Sequence, residues 1–242
     1  MIVIRNLCKF YGRFQALDHI SLSFNSGIIT GLLGMNGAGK STLLSILATV
    51  SEYDSGEILV FGQNLAENKK NIRKILAWIP QEPAFYDQMT VAENLDFFAV
   101  IRGLFGTQKK ARLEAAAANN RLESLMGRRA GALSGGEKQR LNIAIGMLGD
   151  PEIMLFDEPT VGLDVGIRQD LLMGIRALKR PGRVIIYTSH YLDEIEKLCD
   201  EAAIIHQGRA RVVLDRDAMR REAANKTLER HFLSMTEPSH SA

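Results

Sequence analysis

Hydrophobic and polar residues alternate along about the first sixty positions in the manner of short β-strands. Ile2–Leu7 alternates loosely and Leu17–Phe24 more regularly, whereas Ile28–Leu33 is continuously apolar. A short, continuous apolar run is typical of a strand that is buried on both faces. A glycine-rich turn and a run with helical spacing, Ser41–Val50, come next, and Ile58–Phe61 is a further strand candidate. The order strand, loop, helix, strand predicts an α/β fold.

The pattern changes near the middle of the chain. Pro80 and Pro83 interrupt it, and residues 90–130 have helical spacing, so we interpret this part as a helical insertion. The second half returns to short apolar runs between helical stretches, which favour buried parallel strands. These runs are Ile153–Phe156, Val184–Tyr187 and Ala202–Ile205. From about Arg216 the chain is charged and predicted to be helical, with a polar tail.

Composition narrows the class of protein. The chain has 242 residues and a net charge of +2, which gives no reason to expect a nucleic-acid partner. Cys8 and Cys199 are the only cysteines and suggest a reducing compartment, without metal-ligand spacing. No apolar run approaches the roughly 20 residues of a membrane helix, and the N-terminus lacks the apolar stretch of a signal peptide. We therefore expect a chain that neither crosses a membrane by itself nor is secreted by the usual route.

One glycine-rich segment fits a phosphate-binding pattern. Residues 34–41 have the sequence GMNGAGKS, which matches GxxxxGK[ST]. Glycines let backbone N–H groups turn towards phosphate oxygens, and the helix starting near Lys40 directs its positive end to the same place. The pattern also occurs by chance, but a buried strand before it and an apolar helix after it favour a nucleotide site. The residues expected to contact the nucleotide are Gly34, Asn36, Gly37, Ala38, Gly39, Lys40, Ser41 and Thr42.

The side chains in this segment have separate expected tasks. Lys40 is predicted to reach the β- and γ-phosphates, and the Ser41 hydroxyl to bind Mg²⁺, while Thr42 supports the phosphates.

A buried strand ends in two adjacent carboxylates, Asp157 and Glu158. In P-loop enzymes the first acid at such a strand end helps to hold Mg²⁺. Side chains alternate along an extended backbone, so Glu158 should point elsewhere and could orient and deprotonate the attacking water. An acidic turn before Pro159 is the other interpretation, and the phosphate loop in the same chain favours the catalytic one.

A second glycine motif precedes another helical run. Residues 133–140 have the sequence LSGGEKQR, followed by Leu141–Leu148. Ser134 suits a helix N-cap, and Gly135 and Gly136 leave backbone N–H groups open to an anion. The pattern predicts a second phosphate-binding helix start, or alternatively a loop and cap without a ligand.

Together these segments resemble the nucleotide-binding subunit of an ABC transporter. GMNGAGKST, LSGGEKQR and IMLFDEPTVGLD occur in the order and separation of that family, over roughly residues 1–208. The LSGG element is specific to the ABC class, whereas the phosphate loop is shared with other nucleotide-binding proteins. The resemblance implies two cassettes dimerised head to tail, with ATP between the phosphate loop of one and the LSGG element of the other. Ser134, Gly135 and Gly136 would then contact the γ-phosphate held by the partner.

The resemblance also implies an architecture. It is an α/β P-loop NTPase fold, with a RecA-like core, an antiparallel β subdomain and an inserted helical subdomain. We place the nucleotide-binding domain at 1–220, with the core at about 1–88 and 151–212 and the helical subdomain at about 89–150. Residues 221–242 are expected to form a short C-terminal helix and tail.

Further site residues follow from the resemblance. Tyr11, in KFYG, resembles the aromatic residue that stacks on adenine, although Phe10 and Phe14 are possible substitutes. Gln81, in WIPQEP, resembles the glutamine that contacts Mg²⁺ and couples the site to the helical subdomain. His190, in YTSH, resembles the histidine that touches the γ-phosphate.

Near the acidic pair, Asp164 resembles the aspartate that crosses the dimer interface, and Glu158 is the expected catalytic base. Two positions depart from the family pattern. Glu137 stands where glutamine is commonest, and Val165 stands where proline is common in the favoured branch. Neither departure removes a catalytic group, so we expect an active ATPase.

Softer similarities favour one branch of the family. QEPAFYDQMTVAENLDFFA and SHYLDEIEKLCDEAAIIHQGR resemble drug-resistance and ABC-2-like exporters. This implies an ATP- and Mg²⁺-dependent subunit that drives export through a separate integral-membrane permease. The second cassette would be a copy or a relative, and the subunit would sit on the cytoplasmic face of the membrane. The alternative is a soluble ABC ATPase acting on the ribosome or DNA. A P-loop kinase would share the phosphate loop and leave LSGG unexplained.

Overall fold

The alternating residues at the start of the chain form two long antiparallel strands in the computed structural model, which describes residues 1–219. These strands, β1 (Ile2–Tyr11) and β2 (Phe14–Phe24), extend beyond the predicted segments to a tight turn at Gly12, whose φ is 60°. Glycine adopts this left-handed conformation without the steric cost of a side chain, so the hairpin can close there.

The remaining helices and strands follow in chain order. They are β3 (Ile29–Leu33), α1 (Lys40–Leu47), β4 (Ser55–Val60), β5 (Gln63–Asn64), α2 (Lys69–Ile75), β6 (Leu76–Ile79), α3 (Val91–Ile101), α4 (Gly106–Asn119), α5 (Gly135–Met147), β7 (Ile153–Asp157), α6 (Val165–Ala177), β8 (Val184–Ser189), α7 (Leu192–Leu198), β9 (Glu201–His206) and β10 (Arg209–Asp215). The C-terminal helix and tail predicted over 221–242 lie outside the described residues.

The chain divides into two units. The first consists of Met1–Lys69 and the described part of Lys179–Ala242, and the second is Lys70–Leu178. The helical subdomain predicted over about 89–150 lies within the second unit, which also contains β6, β7 and α6.

The first unit contains the phosphate loop and two groups of strands. One is an antiparallel sheet with the order β2-β1-β4-β5. In the other, β3 pairs in parallel with both β8 and β9, and β10 pairs antiparallel with β9. All residues of β3 and β8 are buried, as their continuous apolar sequences predict. The prediction that these short runs are buried parallel strands is confirmed.

The second unit combines a parallel strand pair with packed helices. β6 pairs in parallel with β7, and α3, α4 and α5 enclose an apolar core. Helix α3 begins with a capping box in which Thr90 and Glu93 satisfy each other's backbone N–H groups. The helical pattern predicted over 90–130 is interrupted, because Gly103, Gly106 and Arg121 take positive φ values and separate the helices.

Sequence reasoning missed several elements. β6 has only four residues and adjoins Pro80, so its periodicity is too short to recognise. β10 carries Arg209, Arg211 and Asp215 in its seven residues, which obscures the apolar alternation of a strand. Among the described residues, no helix has both the length and the apolar character needed to span a bilayer.

Helix α7 approaches strand β3 too closely for a side chain at Gly31. A Cβ atom at this position would lie 2.8 Å from both Cys199 Sγ and Ile195 Cδ1. We expect Gly31→Ala to lower the free energy of unfolding by about 1–3 kcal/mol, because inserting a methyl group overpacks the core. Urea denaturation followed by circular dichroism measures this change.

Gly174→Ala is the matched control for this substitution. Gly174 is an exposed residue of α6, and a Cβ atom there would meet nothing within 4 Å. Alanine should stabilise this position by about 0.5–1 kcal/mol, since glycine loses more backbone freedom in a helix. Equal effects at the two sites would contradict the overpacking explanation.

Candidate nucleotide-binding site

The phosphate loop lies between β3 and α1, as predicted, and its outer glycines are required by close backbone approaches. A Cβ atom at Gly34 would lie 2.5 Å from the carbonyl oxygen of Ile205. At Gly39, which has a φ of 108° and precedes α1, it would lie 2.8 Å from the carbonyl oxygen of Ala16. Both glycines therefore allow other backbone segments to hold the loop from outside.

Backbone hydrogen bonds fix the loop at both ends. The N–H of Gly34 donates to the carbonyl of Ser189 at 3.4 Å, at the end of β8. The N–H of Ala38 donates to Met35 within the loop, and the N–H of Gly208 donates to the carbonyl of Ala38 at 3.0 Å. The loop is thus shaped by contacts made within the first unit.

Lys40 is almost completely buried, with 4% of its surface exposed. Its Nζ donates to the carbonyl oxygens of Gly34 at 2.5 Å and Met35 at 3.1 Å. A buried ammonium group requires such acceptors because leaving it unsolvated and unpaired is unfavourable. The lysine side chain therefore reaches back to the first two residues of the loop. Ser41 and Thr42 follow it in the first turn of α1.

The aromatic residues at the β1–β2 hairpin are unusually exposed. Tyr11 is 51% and Phe14 is 64% exposed, and the two residues are paired across the strands. The ammonium group of Lys9 lies 5.1 Å from the centre of the Tyr11 ring. An exposed aromatic ring is suited to stacking on a flat base, and the geometry leaves the predicted choice of Tyr11 over Phe14 open.

His190 directly follows β8 in the first unit. Its ring centre lies 4.0 Å from that of Tyr191, at an angle of 40°. Because the preceding residue, Ser189, accepts a hydrogen bond from Gly34, the backbone before His190 is tied to the phosphate loop. The structure thus brings together two features that are far apart in sequence and were predicted to serve one phosphate.

In the second unit, Asp157 ends β7 and Glu158 follows it. Asp157 is 4% exposed and Glu158 is 7% exposed. Glu158 has a φ of 46°, in the left-handed region that is uncommon for residues other than glycine. Its direction is therefore set by this turn, and the strand alternation on which we based the prediction ends at Asp157. Backbone strain of this kind is concentrated at functional sites.

The LSGG element forms the start of α5, and the predicted N-cap is confirmed. The Ser134 hydroxyl accepts the N–H of Glu137, and the Glu137 carboxylate accepts the N–H of Ser134 at 2.7 Å. Gly135 and Gly136 occupy the first turn, where backbone N–H groups have no acceptor within the helix. Glu137, which departs from the family pattern, thus has a capping function, and Arg128 lies 3.5 Å from its carboxylate.

Gly136 has a packing role as well. A Cβ atom at this residue would lie 2.5 Å from Cγ2 of Ile167 on α6. Asp164 occupies the N-cap position of α6 and is exposed. The neighbouring side chains Val161, Val165 and Ile167 are also exposed, which is notable for apolar residues so close together in sequence.

Gln81 is exposed in the loop after β6. Asn142, a buried residue of α5, bridges this loop on both sides of Gln81. Its amide nitrogen donates to the carbonyl of Pro80 at 3.3 Å, and its oxygen accepts the N–H of Ala84 at 3.5 Å. Sequence reasoning missed Asn142, because a single asparagine within a helical run gives no signal of this role. The Ser134-x-x-Glu137 spacing, in contrast, is a recognisable capping-box pattern.

The predicted site residues fall into two sets. The first unit contains Tyr11, the phosphate-loop residues Gly34, Asn36, Gly37, Ala38, Gly39, Lys40, Ser41 and Thr42, and His190. The second unit contains Gln81, Ser134, Gly135, Gly136, Asp157, Glu158 and Asp164.

Comparisons with known proteins agree with these motifs. A family model described as ABC transporter matches residues 17–161. The chain is 37% identical over 208 residues to the linearmycin resistance ATP-binding protein LnrL of Bacillus subtilis, covering 86% of this chain and 67% of LnrL. It is 36% identical over 195 residues to the ABC transporter ATP-binding protein NatA of the same organism, covering 80% and 79%.

A solved structure shows the same architecture. It is cbiO1 from Clostridium perfringens, part of the ABC transporter complex cbiONQ. The TM-score is 0.84 at 25% sequence identity, over 95% of this chain and 93% of that one. The predicted P-loop fold of the ABC ATPase class is confirmed by this similarity.

The capping box at Ser134 makes stability depend on pH. The Glu137 carboxylate accepts a hydrogen bond from the backbone N–H of Ser134, and this hydrogen bond lowers the pKa of the Glu137 carboxyl below its usual range. A lowered pKa in the folded state contributes stability that is present above the unfolded pKa of about 4.3 and is lost as pH falls through the folded value. We expect Glu137→Gln to lose less free energy of unfolding than the wild type between about pH 6 and about pH 3.

Urea denaturation at several pH values measures this difference. Glu114→Gln, which removes an exposed carboxylate from α4, is the control and should follow the wild-type pH dependence. A Glu137→Gln variant with the same acid sensitivity as the wild type would show that the cap does not contribute it.

Proposed function

Because this chain belongs to the ABC transporter family and is an ATP-binding subunit that hydrolyses ATP, we propose that it drives export of a substrate through a separate integral-membrane permease. One observation carries the proposal above all. A phosphate loop with a buried lysine and a capped LSGG helix start occur in the same chain.

In the first unit, the loop and its neighbours would bind the nucleotide. Backbone N–H groups of the loop and the Lys40 ammonium hold the β- and γ-phosphates, with the positive end of α1 adding to the attraction. Tyr11 stacks on the adenine, and His190 contacts the γ-phosphate. The hydrogen bond between Gly34 and Ser189 supports this last role, because it ties the backbone before His190 to the phosphate loop.

In the second unit, Glu158 would act as the general base. Its position supports this role, because Glu158 is almost fully buried directly after β7, and a general base must be held in a fixed position within hydrogen-bond reach of the water that it deprotonates. It orients the attacking water and removes its proton as the bond from the water oxygen to the γ-phosphorus forms and the bond from the γ-phosphorus to the β,γ-bridging oxygen breaks, which releases ADP and phosphate. The negative charge that develops on the phosphate oxygens would be met by Lys40 and His190.

The oxygen donors in the chain fit Mg²⁺. The Ser41 hydroxyl, the Asp157 carboxylate and the Gln81 amide oxygen are all hard ligands of the type that this ion prefers. Asp157 is well suited to a cation because its carboxylate is buried at a strand end. When bound, Mg²⁺ supplies positive charge that offsets the charge of the phosphates.

We propose that two cassettes dimerise around ATP, the second being a copy of this chain or a relative. Ser134, Gly135 and Gly136 of one cassette would contact the γ-phosphate held by the other, and Asp164 would cross the interface. The exposed apolar side chains Val161, Val165 and Ile167 support an interface here, since such residues would be covered by a partner. Closure and reopening of this dimer would move the permease, with the subunit on the cytoplasmic face of the membrane.

Export is favoured over import by the relatives. LnrL is named for resistance to linearmycin, and removal of a toxic compound from the cell is the simplest way for a transporter to confer resistance.

The loop containing Gln81 is joined to α5 through Asn142, which supports a role for Gln81 in coupling the site to the helical subdomain.

Glu158→Gln should bind ATP but hydrolyse it at least about 100-fold more slowly, because loss of a general base removes that order of rate. The variant should also form a dimer that persists in ATP. Phosphate release and size-exclusion chromatography measure the two effects.

Glu152→Gln makes the same chemical change at an exposed residue just before β7 and should keep turnover within about twofold of the wild type. Normal turnover in Glu158→Gln would exclude this residue as the base.

Affinity purification of the tagged chain from detergent-solubilised membranes should recover a multi-span membrane protein. Recovery of ribosomal proteins or DNA instead would favour the alternative, a soluble ABC ATPase. If a permease is recovered, deleting the chain should sensitise cells to exported compounds, and loss of uptake without sensitisation would indicate import.

A further inference from the structure

The segment that contains His190 is tied to a fully buried carboxylate on the next helix. We propose that Glu194 is a positioning residue, which fixes the backbone on both sides of His190 through Ser189. This inference rests on the proposed role of His190 in contacting the γ-phosphate.

The network begins at Glu194, a completely buried residue of α7. One of its carboxylate oxygens, Oε2, accepts hydrogen bonds from the Tyr187 hydroxyl at 2.8 Å and from the Ser189 hydroxyl at 2.7 Å. Both donors are on β8, the strand that leads into His190. The carboxylate therefore joins α7 to the end of this strand.

The direction of each hydrogen bond is determined by chemistry. A backbone N–H can only donate, and a serine hydroxyl has a single proton to donate. Since Ser189 gives its proton to Glu194, its oxygen can only accept from elsewhere. It accepts the backbone N–H of Tyr191 at 2.9 Å. Glu194 thus orients a hydroxyl that in turn holds the residue after His190.

This arrangement is a capping box with one extra member. Tyr191 is the N-cap of α7, and Glu194 is the third residue of the helix. In an ordinary capping box the glutamate at this position would accept the N-cap N–H directly. Here the Ser189 hydroxyl stands between the two groups. The intervening serine connects the cap to the strand on the other side of His190, which a direct bond would not do.

Ser189 is also held through its main chain. Its carbonyl accepts the N–H of Gly34, the first residue of the phosphate loop. The residues before and after His190 are therefore both fixed, one to the phosphate loop and one to the start of α7. A displacement of about 1 Å can reduce the rate of an enzyme about 100-fold, so this restraint matters for a side chain that must meet a phosphate oxygen.

Glutamate is an energetically costly residue at this position because its side chain is completely buried. Removing a carboxylate from water is unfavourable unless hydrogen bonds compensate for the loss. An apolar residue could fill the same space under α7 without this cost. The two hydroxyl bonds and the relay to Tyr191 are what the carboxylate adds.

The test compares Ser189→Ala and Glu194→Gln in the full chain. Ser189→Ala removes the relay, and Glu194→Gln replaces one acceptor oxygen of the carboxyl group with an NH2 donor in a side chain of the same shape. We expect kcat for ATP hydrolysis to fall about tenfold in Ser189→Ala and less in Glu194→Gln, with KM for ATP within about twofold of the wild type. Asp193→Asn makes the same carboxylate-to-amide change at an exposed position of α7 and is the matched control, with unchanged kcat.

The double variants with His190→Ala separate positioning from a general effect on the fold. If Ser189 and Glu194 act through His190, their substitutions should lower kcat no further once His190 is gone. The same fold-reduction in both backgrounds would overturn the inference and leave the proposed function intact. Wild-type turnover of His190→Ala itself would instead exclude the proposed role of His190.

A spectroscopic measurement decides the positioning directly. The imidazole Cε1–H signal of His190, identified by its absence in His190→Ala, should shift or broaden in Ser189→Ala and Glu194→Gln and stay unchanged in Asp193→Asn. An unchanged signal in both network variants would overturn the inference whatever the kinetics show. Thermal unfolding and ATP affinity, measured for each variant, identify any that fails to fold.

Discussion

The conformation of strand β3 and of the phosphate loop after it depends on close packing against other segments of the first unit. Helix α7 packs against Gly31, the carbonyl of Ile205 against Gly34, and the carbonyl of Ala16 against Gly39. A Cβ atom at any of these positions would meet a neighbouring atom within 3 Å, which is a side-chain atom at Gly31 and a backbone carbonyl oxygen at Gly34 and Gly39. Support from outside leaves the inner face of the loop to its N–H groups and to Lys40. The nucleotide site is therefore a product of packing as much as of the motif.

In the second unit, carboxylates lie at the start of helix α5 and at the end of strand β7, and each must be accommodated there. The Glu137 carboxylate and the Ser134 hydroxyl satisfy each other's backbone N–H groups at the start of α5. Arg128 lies beside the carboxylate and offsets its charge. The capping box directs the Glu137 carboxylate back to the backbone at the start of the helix, where a negative charge is also favourable to the helix dipole.

Much of the fold and site could be predicted from sequence, because the features concerned are local. Continuous apolar runs such as Ile153–Phe156 identify buried strands, and the phosphate-loop spacing identifies the start of α1 within one residue. The extent of β1 and β2, the existence of β10 and the left-handed backbone at Glu158 were not predictable in this way. They depend on pairing partners and turns that are distant in sequence or have no residue signature. The adenine-stacking role of Tyr11 and the subdomain limits remain predictions, since nothing in the structure tests them.

Asn142 has a mechanical consequence. It lies eight residues after Ser134 on the same helix, so about 12 Å of hydrogen-bonded backbone separates the two. A helix of this length is stiff along its axis, and the Asn142 side-chain amide is hydrogen-bonded to the backbone of Pro80 and Ala84. Helix α5 therefore carries the LSGG element at its N-terminus and binds the loop that contains Gln81 through a residue in its middle. A displacement of Ser134 along the helix axis would therefore be transmitted to the segment around Gln81 through continuous helix and the two hydrogen bonds of Asn142.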